Sequence, residues 1–187
     1  MLIALGIFLL IFLLLAIFLI SFYNKLVRGK NMAEEAWSDI CVQLKRRHDL
    51  IPSLVNTVKA YAKHENDVLR QIAEARSQAV SASSGSVENV MQAENYLTKA
   101  MRSLFAVAEN YPQLKANENF LQLQEQLSQL EDEIQMSRRY YNGTARDQNN
   151  NVLQFPGNII AGMFGFAKLD YFELSDQSEA AVPEVKF

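Results

Sequence analysis

The sequence predicts an all-α protein, with an N-terminal transmembrane helix followed by an antiparallel helical bundle of long helices. Three observations support this fold class. The first 23 residues carry no charged side chain and are apolar on every face of a helix. The rest of the chain contains apolar stripes whose members are spaced three or four residues apart, as amphipathic helices require. Glycine and proline, the two residues that break helices, number only seven and four.

Residues 1–23 are predicted to span a membrane. A helix that is apolar all round has no surface for water. About 22 residues at about 1.5 Å each cover a hydrocarbon core of about 30 Å. The alternative is a cleaved secretory signal, which needs a basic leader and a small-residue cleavage site. No Lys or Arg precedes the run, and Ser21, Phe22 and Tyr23 form a poor site. We therefore expect the segment to remain as an anchor.

The charges that flank the anchor predict its orientation. Lys25, Arg28 and Lys30 all follow the apolar run, although Glu34 and Glu35 come soon after them. Basic residues beside a span tend to stay in the cytoplasm. The soluble part is therefore expected on the cytoplasmic side.

The chain after the anchor is long enough for one domain, predicted over residues 24–174 and followed by an extended polar tail over 175–187. Its net charge of −3 offers no positive field for nucleic acid, so no nucleic-acid partner is expected. Cys41 is the single cysteine, which excludes an intramolecular disulfide.

The first stripe after the anchor keeps its helical phase through Pro52. Proline inside a helix removes one hydrogen bond and clashes with the preceding turn. We expect one long helix with a kink near residues 48–52, and two abutting helices are the alternative. The anchor either continues straight into this helix or bends at Gly29. The stripe consists of Trp37, Cys41, Leu44, Ile51, Val55, Val58, Ala62, Leu69 and Ile72.

Two further helices are predicted. A serine-rich linker over residues 77–86 is the first interruption, and Ser86 is a suitable N-cap for the second stripe. Pro112 ends that stripe, because the residue before a proline disfavours helix. Asn117 is expected to cap the third stripe, which fades through residues 148–151. Short connections between long helices imply antiparallel neighbours.

The last apolar section differs from the bundle. Residues 155–158 have turn chemistry, with Gly157 and Asn158 suited to positive φ. Residues 159–166 are apolar but too short to cross a bilayer. They either form a short helix that caps the bundle or expose a patch that meets lipid or another subunit.

No set of residues in the sequence predicts catalysis, a metal site or a cofactor, so a non-enzymatic protein is expected. His64 and Glu65 begin like a zinc-protease helix, but the second histidine of that motif is missing. His48 lies on the apolar stripe and is interpreted as a core or partly exposed histidine and not as a metal ligand. The carboxylates at positions 131–133 are interpreted as a solvated helix face.

The polar segment 43–49 is the strongest candidate for a protein contact. It places several cations on successive helical positions, and these cannot all face solvent. One interpretation is a solvated basic girdle whose stems lie on apolar surface. The other is a contact with acidic helices of a protein partner, such as another copy. Together with the last apolar section, the candidate contact residues are Gln43, Lys45, Arg46, Arg47, Asp49, Phe155, Pro156, Gly157, Asn158, Phe164 and Phe166.

Several segments resemble the LemA family of bacterial membrane proteins. They lie at residues 23–27 (YNKLV), 35–40 (EAWSDI), 42–52 (VQLKRRHDLIP), 111–120 (YPQLKANENF), 139–142 (RYYN), 155–158 (FPGN) and 165–166 (GF). The resemblance covers essentially the whole chain. Cys41 stands where the family usually carries Asp.

The resemblance implies a single-pass protein of the bacterial inner membrane with an antiparallel helical bundle, and it brings no reaction, substrate or cofactor. Family members are often encoded near membrane proteases. The apolar stripes, the glycine-punctuated apolar end segment and the missing catalytic cluster favour an anchored scaffold that self-associates into a homo-oligomer and presents a protein-interaction surface. The alternative is an adaptor or regulator of a membrane protease or membrane signalling system.

Overall fold

The computed structural model describes residues 1–173, and these residues form six α-helices and no strand. The all-α fold is therefore confirmed. The predicted tail over 175–187 lies outside the described residues, and the predicted division into anchor, bundle and tail stays a prediction. The helices are α1 (Leu2–Tyr61), α2 (Asn66–Ala82), α3 (Val87–Ala108), α4 (Pro112–Lys115), α5 (Glu118–Leu153) and α6 (Gly157–Phe164).

Helix α1 is one continuous helix that passes through both Gly29 and Pro52. The expectation of one long helix is confirmed in preference to two abutting helices, and the expected kink near residues 48–52 stays a prediction. Its N-terminal part contains an apolar segment long enough to cross a membrane, and this segment is exposed on all sides. The exposed apolar segment indicates membrane anchoring.

The first stripe was expected to continue to Ile72 in one helix, and this was wrong. Helix α1 ends at Tyr61, and a turn precedes α2, in which the Glu65 amide donates to the Ala62 carbonyl over 3.2 Å. The Tyr111 hydroxyl donates to the Glu65 carboxylate at 3.0 Å. This hydrogen bond links the turn to Tyr111, and the stripe concealed the turn because the apolar phase is the same on both sides of it.

The serine-rich linker is shorter than predicted. Helix α2 continues to Ala82, and the Ser81 hydroxyl donates to the Ser77 carbonyl at 2.9 Å, so the Ser81 hydroxyl is satisfied within the helix. Ser86 caps α3 as predicted, since its Oγ accepts from the Asn89 amide at 3.3 Å.

The connection between α3 and α5 contains the short helix α4. Helix α3 ends at Ala108, before the predicted stop, and Pro112 occupies the first turn of α4, where its missing N–H is no loss. The Asn117 side chain accepts from the Phe120 amide at 3.0 Å, which confirms the predicted cap of α5. Helix α5 runs on to Leu153, past the predicted fade.

The described chain divides into two compact units. One unit contains residues 40–138 together with the segment from Phe172, and the other contains residues 1–39 and 139–171. The core of the first unit is apolar and mostly aliphatic, and it is lined by α1 to α5. Its members include Ile51, Leu54, Val58, Ile72, Leu97, Leu104, Leu114, Phe120 and Leu127.

The core of the second unit is small and joins α1, α5 and α6. It consists of Leu26, Val152, Ile160 and Ala161. Helix α6 buries one face and leaves Ile159, Met163 and Phe164 exposed. Gly157 and Asn158 do not take the predicted positive φ, because both belong to α6. The left-handed residue is Gly165 at φ 73°, which ends the helix.

Candidate functional site

A buried group of charged side chains joins three helices of the first unit. It consists of Arg47 and His48 on α1, Glu94 on α3 and Glu131 on α5, and we call it the charge cluster. Arg47, His48 and Glu94 are 1%, 4% and 0% exposed. Arg47 and His48 are consecutive on α1, and both side chains reach the same carboxylate, that of Glu94 on α3.

Both oxygens of Glu94 are engaged. The Arg47 guanidinium donates to one oxygen, and His48 Nε2 lies 2.6 Å from the other. A second guanidinium nitrogen of Arg47 donates to Glu131 at 2.9 Å. Arg47 therefore bridges two carboxylates from two different helices, which is the use to which its planar fork is suited.

The charges of the cluster set the ionisation of Glu94. Burial raises the pKa of the Glu94 carboxyl, but the hydrogen bond from His48 and the positive charge of Arg47 outweigh burial. The pKa of Glu94 therefore lies below its usual value. Glu94 is an anion at neutral pH, and the cluster is held together by charge-assisted hydrogen bonds.

The same cluster acts on Cys41, which is half-buried on α1. Burial and the negative charge of Glu94 together raise the pKa of the thiol. Cys41 is therefore a poor nucleophile at neutral pH, since the thiolate is the reactive form.

The backbone beside the cluster is supported from α2. Pro52 has no N–H, so the carbonyl of His48, four residues earlier, loses its helical donor. Nε of Arg76 donates to that carbonyl at 2.8 Å. The proline therefore opens an acceptor that a side chain of the neighbouring helix fills.

The outer part of segment 43–49 is more exposed and is also paired within the chain. Arg46 donates to Gln43 at 2.7 Å and to Glu133 at 2.6 Å. Lys45 lies 2.6 Å from Asp49. The carboxylates at positions 131–133 were interpreted as a solvated face; the side chains of Glu131 and Glu133 are 37% and 39% exposed and in addition pair with Arg47 and Arg46.

Arg47 departs from both interpretations made for it. Its side chain is 1% exposed, so it is neither part of a solvated girdle nor available to a partner. His48 is buried, which is one of the two placements, core or partly exposed, that the sequence left open. Lys45, Arg46 and Asp49 lie at the surface, and their predicted role as protein contacts stays a prediction.

The candidate contact residues after α5 belong to the second unit. Phe155 and Phe164 are 80% and 55% exposed, and Asn158 is also exposed. Gly157 is buried, and a Cβ built there would meet the Asn151 carbonyl and the Phe22 ring, so Gly157 serves close packing. Phe166 is partly buried.

The end of the second unit is tied down by polar groups of α5. Asn149 donates to the Leu169 carbonyl at 2.9 Å and accepts from the Leu169 amide at 2.7 Å. The Tyr141 hydroxyl donates to the Asp170 carbonyl at 2.8 Å. Burial and the charge of Asp170 raise the pKa of Tyr141 to about 12.

Sequence reasoning missed two residues in and beside the charge cluster, Glu94 and Arg76. Glu94 lies at helical spacing between Val90 and Leu97 of the α3 stripe, and a carboxylate in a buried stripe requires a cationic partner. That pattern was available in the sequence. Arg76 carried no comparable signal, because only the packing of α2 against the His48 turn identifies it.

The contacts within the charge cluster support a structural role in holding helices together. Both oxygens of Glu94 are occupied by groups of this chain. Within residues 1–173, no group of three or more His, Cys, Asp or Glu side chains is placed to hold a metal ion. The arrangement locks α1 to α3 and α5 through one buried carboxylate and one buried guanidinium.

Comparisons with known proteins identify several relatives of this chain. Protein LemA of Metamycoplasma hominis is 28% identical over 153 residues, which cover 82% of this chain and 69% of that protein. Magnetosome protein MamQ 2 of Paramagnetospirillum magneticum is 24% identical over 81% of this chain. Magnetosome protein MamQ of Magnetospirillum gryphiswaldense is 23% identical over 80% of it. The chain spans 64% of the length of each of these two magnetosome proteins.

The family assignment rests on the model match. The model of the LemA family matches residues 36–187, which is most of the chain and includes every member of the charge cluster. Together with the exposed apolar start of α1, the match identifies a membrane-associated helical protein. The chain belongs to the LemA family.

Proposed function

We propose that this protein is a non-enzymatic, single-pass scaffold of the bacterial inner membrane that self-associates and presents a protein-interaction surface on the cytoplasmic side. The observation that carries the proposal is the composition of α1. One helix supplies both the exposed apolar run and the Arg47–His48 pair that is locked into the bundle. The anchor and the helical body therefore share one continuous helix.

The charge cluster supports a structural role for the body. Burying charge stabilises a fold only where each charge has a partner, and removal of one partner is strongly destabilising. Arg47 and Glu94 meet that condition with each other and with His48. Such a network favours one fixed arrangement of helices, which is what an assembly surface requires.

The surface proposed for self-association lies on α1 and consists of Val42, Lys45, Arg46 and Asp49. We call it the α1 face. These residues are exposed and follow helical spacing, so they lie on one side of the helix. Val42 is 53% exposed, and the charges beside it have both signs. Two copies anchored in one membrane bring their α1 helices together in parallel register, where Lys45 or Arg46 of one copy can approach Asp49 of the other, as complementary interfaces do.

Anchoring adds to whatever affinity the α1 face has. Two copies held in one membrane meet at a much higher effective concentration than two free copies. Weak contacts are therefore sufficient for an oligomer. The relatives add a further argument, since two of them are named as magnetosome proteins and neither name denotes a reaction.

Cysteine crosslinking of the full-length protein in its native membrane tests self-association. In a Cys41→Ala background, Val42→Cys should form an intermolecular disulfide on mild oxidation. Val80→Cys on α2 is the matched control, because Val80 is a similarly exposed valine at 45% but lies off the α1 face. We expect linked dimers from position 42 and none from position 80.

Single-particle mass measurement of membrane patches extracted without detergent gives an independent readout. A single copy in every patch, across a range of expression levels, would overturn the scaffold. Crosslinks from position 42 to a membrane protease alone would instead establish the adaptor.

The same Val42→Cys variant tests the proposed orientation. A membrane-impermeant maleimide should fail to label it in intact spheroplasts and should label it after lysis. Labelling of intact spheroplasts would place the body on the outer side of the membrane, against the direction set by Lys25, Arg28 and Lys30.

A further inference from the structure

Helix α6 leaves an apolar face exposed. Residues 155–166 contain no charged side chain, and their only polar side chain is Asn158. Gly157, Ile160 and Ala161 are buried, whereas Phe155, Ile159, Met163 and Phe164 are 80%, 56%, 70% and 55% exposed. A continuous apolar face of this kind is unusual on a surface that meets only water.

The position of α6 along α1 identifies what covers this face. The core that seats α6 includes Leu19 and Phe22, which belong to the apolar run, and Leu26, which follows it. Tyr23 lies between two rings of the α6 region, with centroid distances of 4.8 Å to Phe164 and 5.9 Å to Phe166. Helix α6 therefore packs on the turns of α1 at which the apolar run ends.

Two further features place these turns at the level of lipid headgroups. The first charges after the apolar run, Lys25 and Arg28, are exposed, and the ammonium of Lys25 lies 5.7 Å from the centroid of the Phe22 ring. Aromatic rings followed by cations are the usual arrangement where a span leaves the bilayer. Leu19 lies one turn, about 6 Å, deeper than Tyr23.

We propose that α6 is an interfacial helix whose exposed residues Ile159, Met163 and Phe164, together with Phe155 just before the helix, are buried in the headgroup and acyl boundary of the bilayer. Helices of this type enter the boundary by about 5–10 Å. The rise of about 6 Å from Tyr23 to Leu19 falls within this range. The surface is continuous with the span, so lipid covers it without any further partner. The protein then has two membrane contacts, one across the bilayer and one along its surface.

Spin labelling of the full-length protein in phospholipid vesicles tests the proposal. In a Cys41→Ala background, nitroxides are attached to Ile159→Cys and Met163→Cys. Collision with oxygen, which concentrates in lipid, is compared with collision with a water-soluble nickel chelate. Both labels should be more accessible to oxygen and less accessible to the nickel chelate than a label in water. The depth calculated from these collision rates should be shallower than that of a label at Phe12→Cys within the span.

Met136→Cys on α5 is the matched control, because Met136 is an exposed methionine at 55% outside the α6 region. Labels on α6 that react with nickel as strongly as position 136 would overturn the proposal. Spin–spin broadening at position 163 that disappears on dilution with unlabelled protein would also overturn it, since a second copy would then cover the face. Circular dichroism of each labelled variant must match the unlabelled protein before its accessibility is compared.

Discussion

The Arg76 guanidinium donates through Nε to the backbone carbonyl of His48 at 2.8 Å. The donor comes from α2, and the acceptor is the carbonyl of α1 that Pro52 deprives of its helical partner. Arg76 therefore compensates for the proline at the point where the charge cluster begins. Arg76 and Pro52 are therefore coupled through the backbone carbonyl of His48, and the energy of this coupling can be measured.

Replacement of Arg76 by Ala should destabilise the protein by about 1–3 kcal/mol, because a shielded carbonyl loses its donor. In a Pro52→Ala background the same replacement should have a much smaller effect, since the alanine introduced at position 52 supplies a helical N–H to the His48 carbonyl. Chemical denaturation followed by circular dichroism of the four variants gives the coupling energy.

Arg70→Ala serves as the control for this cycle. Arg70 lies on the same helix but is exposed, and among residues 1–173 its ion pairs are with Asp67 and Glu74, so its removal should show no coupling to Pro52→Ala. If the effects of Arg76→Ala and Pro52→Ala simply add, the Arg76 bond does not replace the missing helical bond.

Replacement of Glu94 by Gln should destabilise the fold by about 3–5 kcal/mol, because it leaves the buried charge of Arg47 without its main partner. A second substitution, Arg47→Met, should restore part of the loss by removing the unpaired charge. The unfolding free energies of the two single variants and the double variant measure this recovery.

Glu88→Gln is a matched control for Glu94→Gln. Glu88 lies in the first turn of the same helix and is exposed. Surface changes of this kind stay within about 0.5 kcal/mol. Equal effects at positions 88 and 94 would mean that burial of the charge cluster contributes little to stability.

Stability should also depend on pH through Glu94. The folded-state pKa of Glu94 lies below its ordinary value of 4.5, so its contribution is fully present above pH 4.5 and is lost as pH falls through the folded pKa. The gap in unfolding free energy between the wild type and Glu94→Gln should therefore be constant above pH 4.5 and narrow below it. A gap that widens on acidification would reverse the assigned direction of the pKa shift.

The helices could be predicted from sequence because their causes are local. The signals are an uncharged apolar run, stripes at helical spacing, and the caps Ser86 and Asn117. Each of them can be recognised from residues that are close together in the sequence. The turn between Tyr61 and Asn66 could not be predicted in this way. No glycine or proline lies there. The turn is linked by a hydrogen bond to Tyr111, which is 46 residues from its partner Glu65 in the sequence.

The charge cluster shows the same limit more sharply. The basic segment on α1 was identified, but its partners were not, because an outward and an inward arginine look identical in sequence. Arg47 is buried and Arg46 is exposed although they are neighbours. The rotation of α1 against α3 and α5 decides between them, and that rotation depends on the packing of the whole core.

Removal of the Asn149 side chain should release the end of the second unit. Asn149 is buried and forms a two-way hydrogen bond with the backbone of Leu169. In Asn149→Ala, the Leu169 amide loses its acceptor and should exchange hydrogen with solvent much faster. Hydrogen exchange read by mass spectrometry measures this, with Asn150→Ala as the exposed neighbouring control. Equal protection in both variants would show that the pairing does not hold the segment.

Two glycines of α6 should respond oppositely to alanine, because only one of them is packed. Gly157 is buried against the Phe22 ring and the Asn151 carbonyl, whereas a Cβ at Gly162 would meet nothing within 4 Å. Overpacking typically destabilises by about 1–3 kcal/mol, so Gly157→Ala should displace α6 from α1. Gly162→Ala should stabilise α6 by up to about 1 kcal/mol, because alanine favours helix over glycine. Thermal unfolding, together with hydrogen exchange over residues 157–164, measures both changes. A shift of the same sign at the two positions would mean that helix propensity, and not packing on Phe22, decides how α6 is seated.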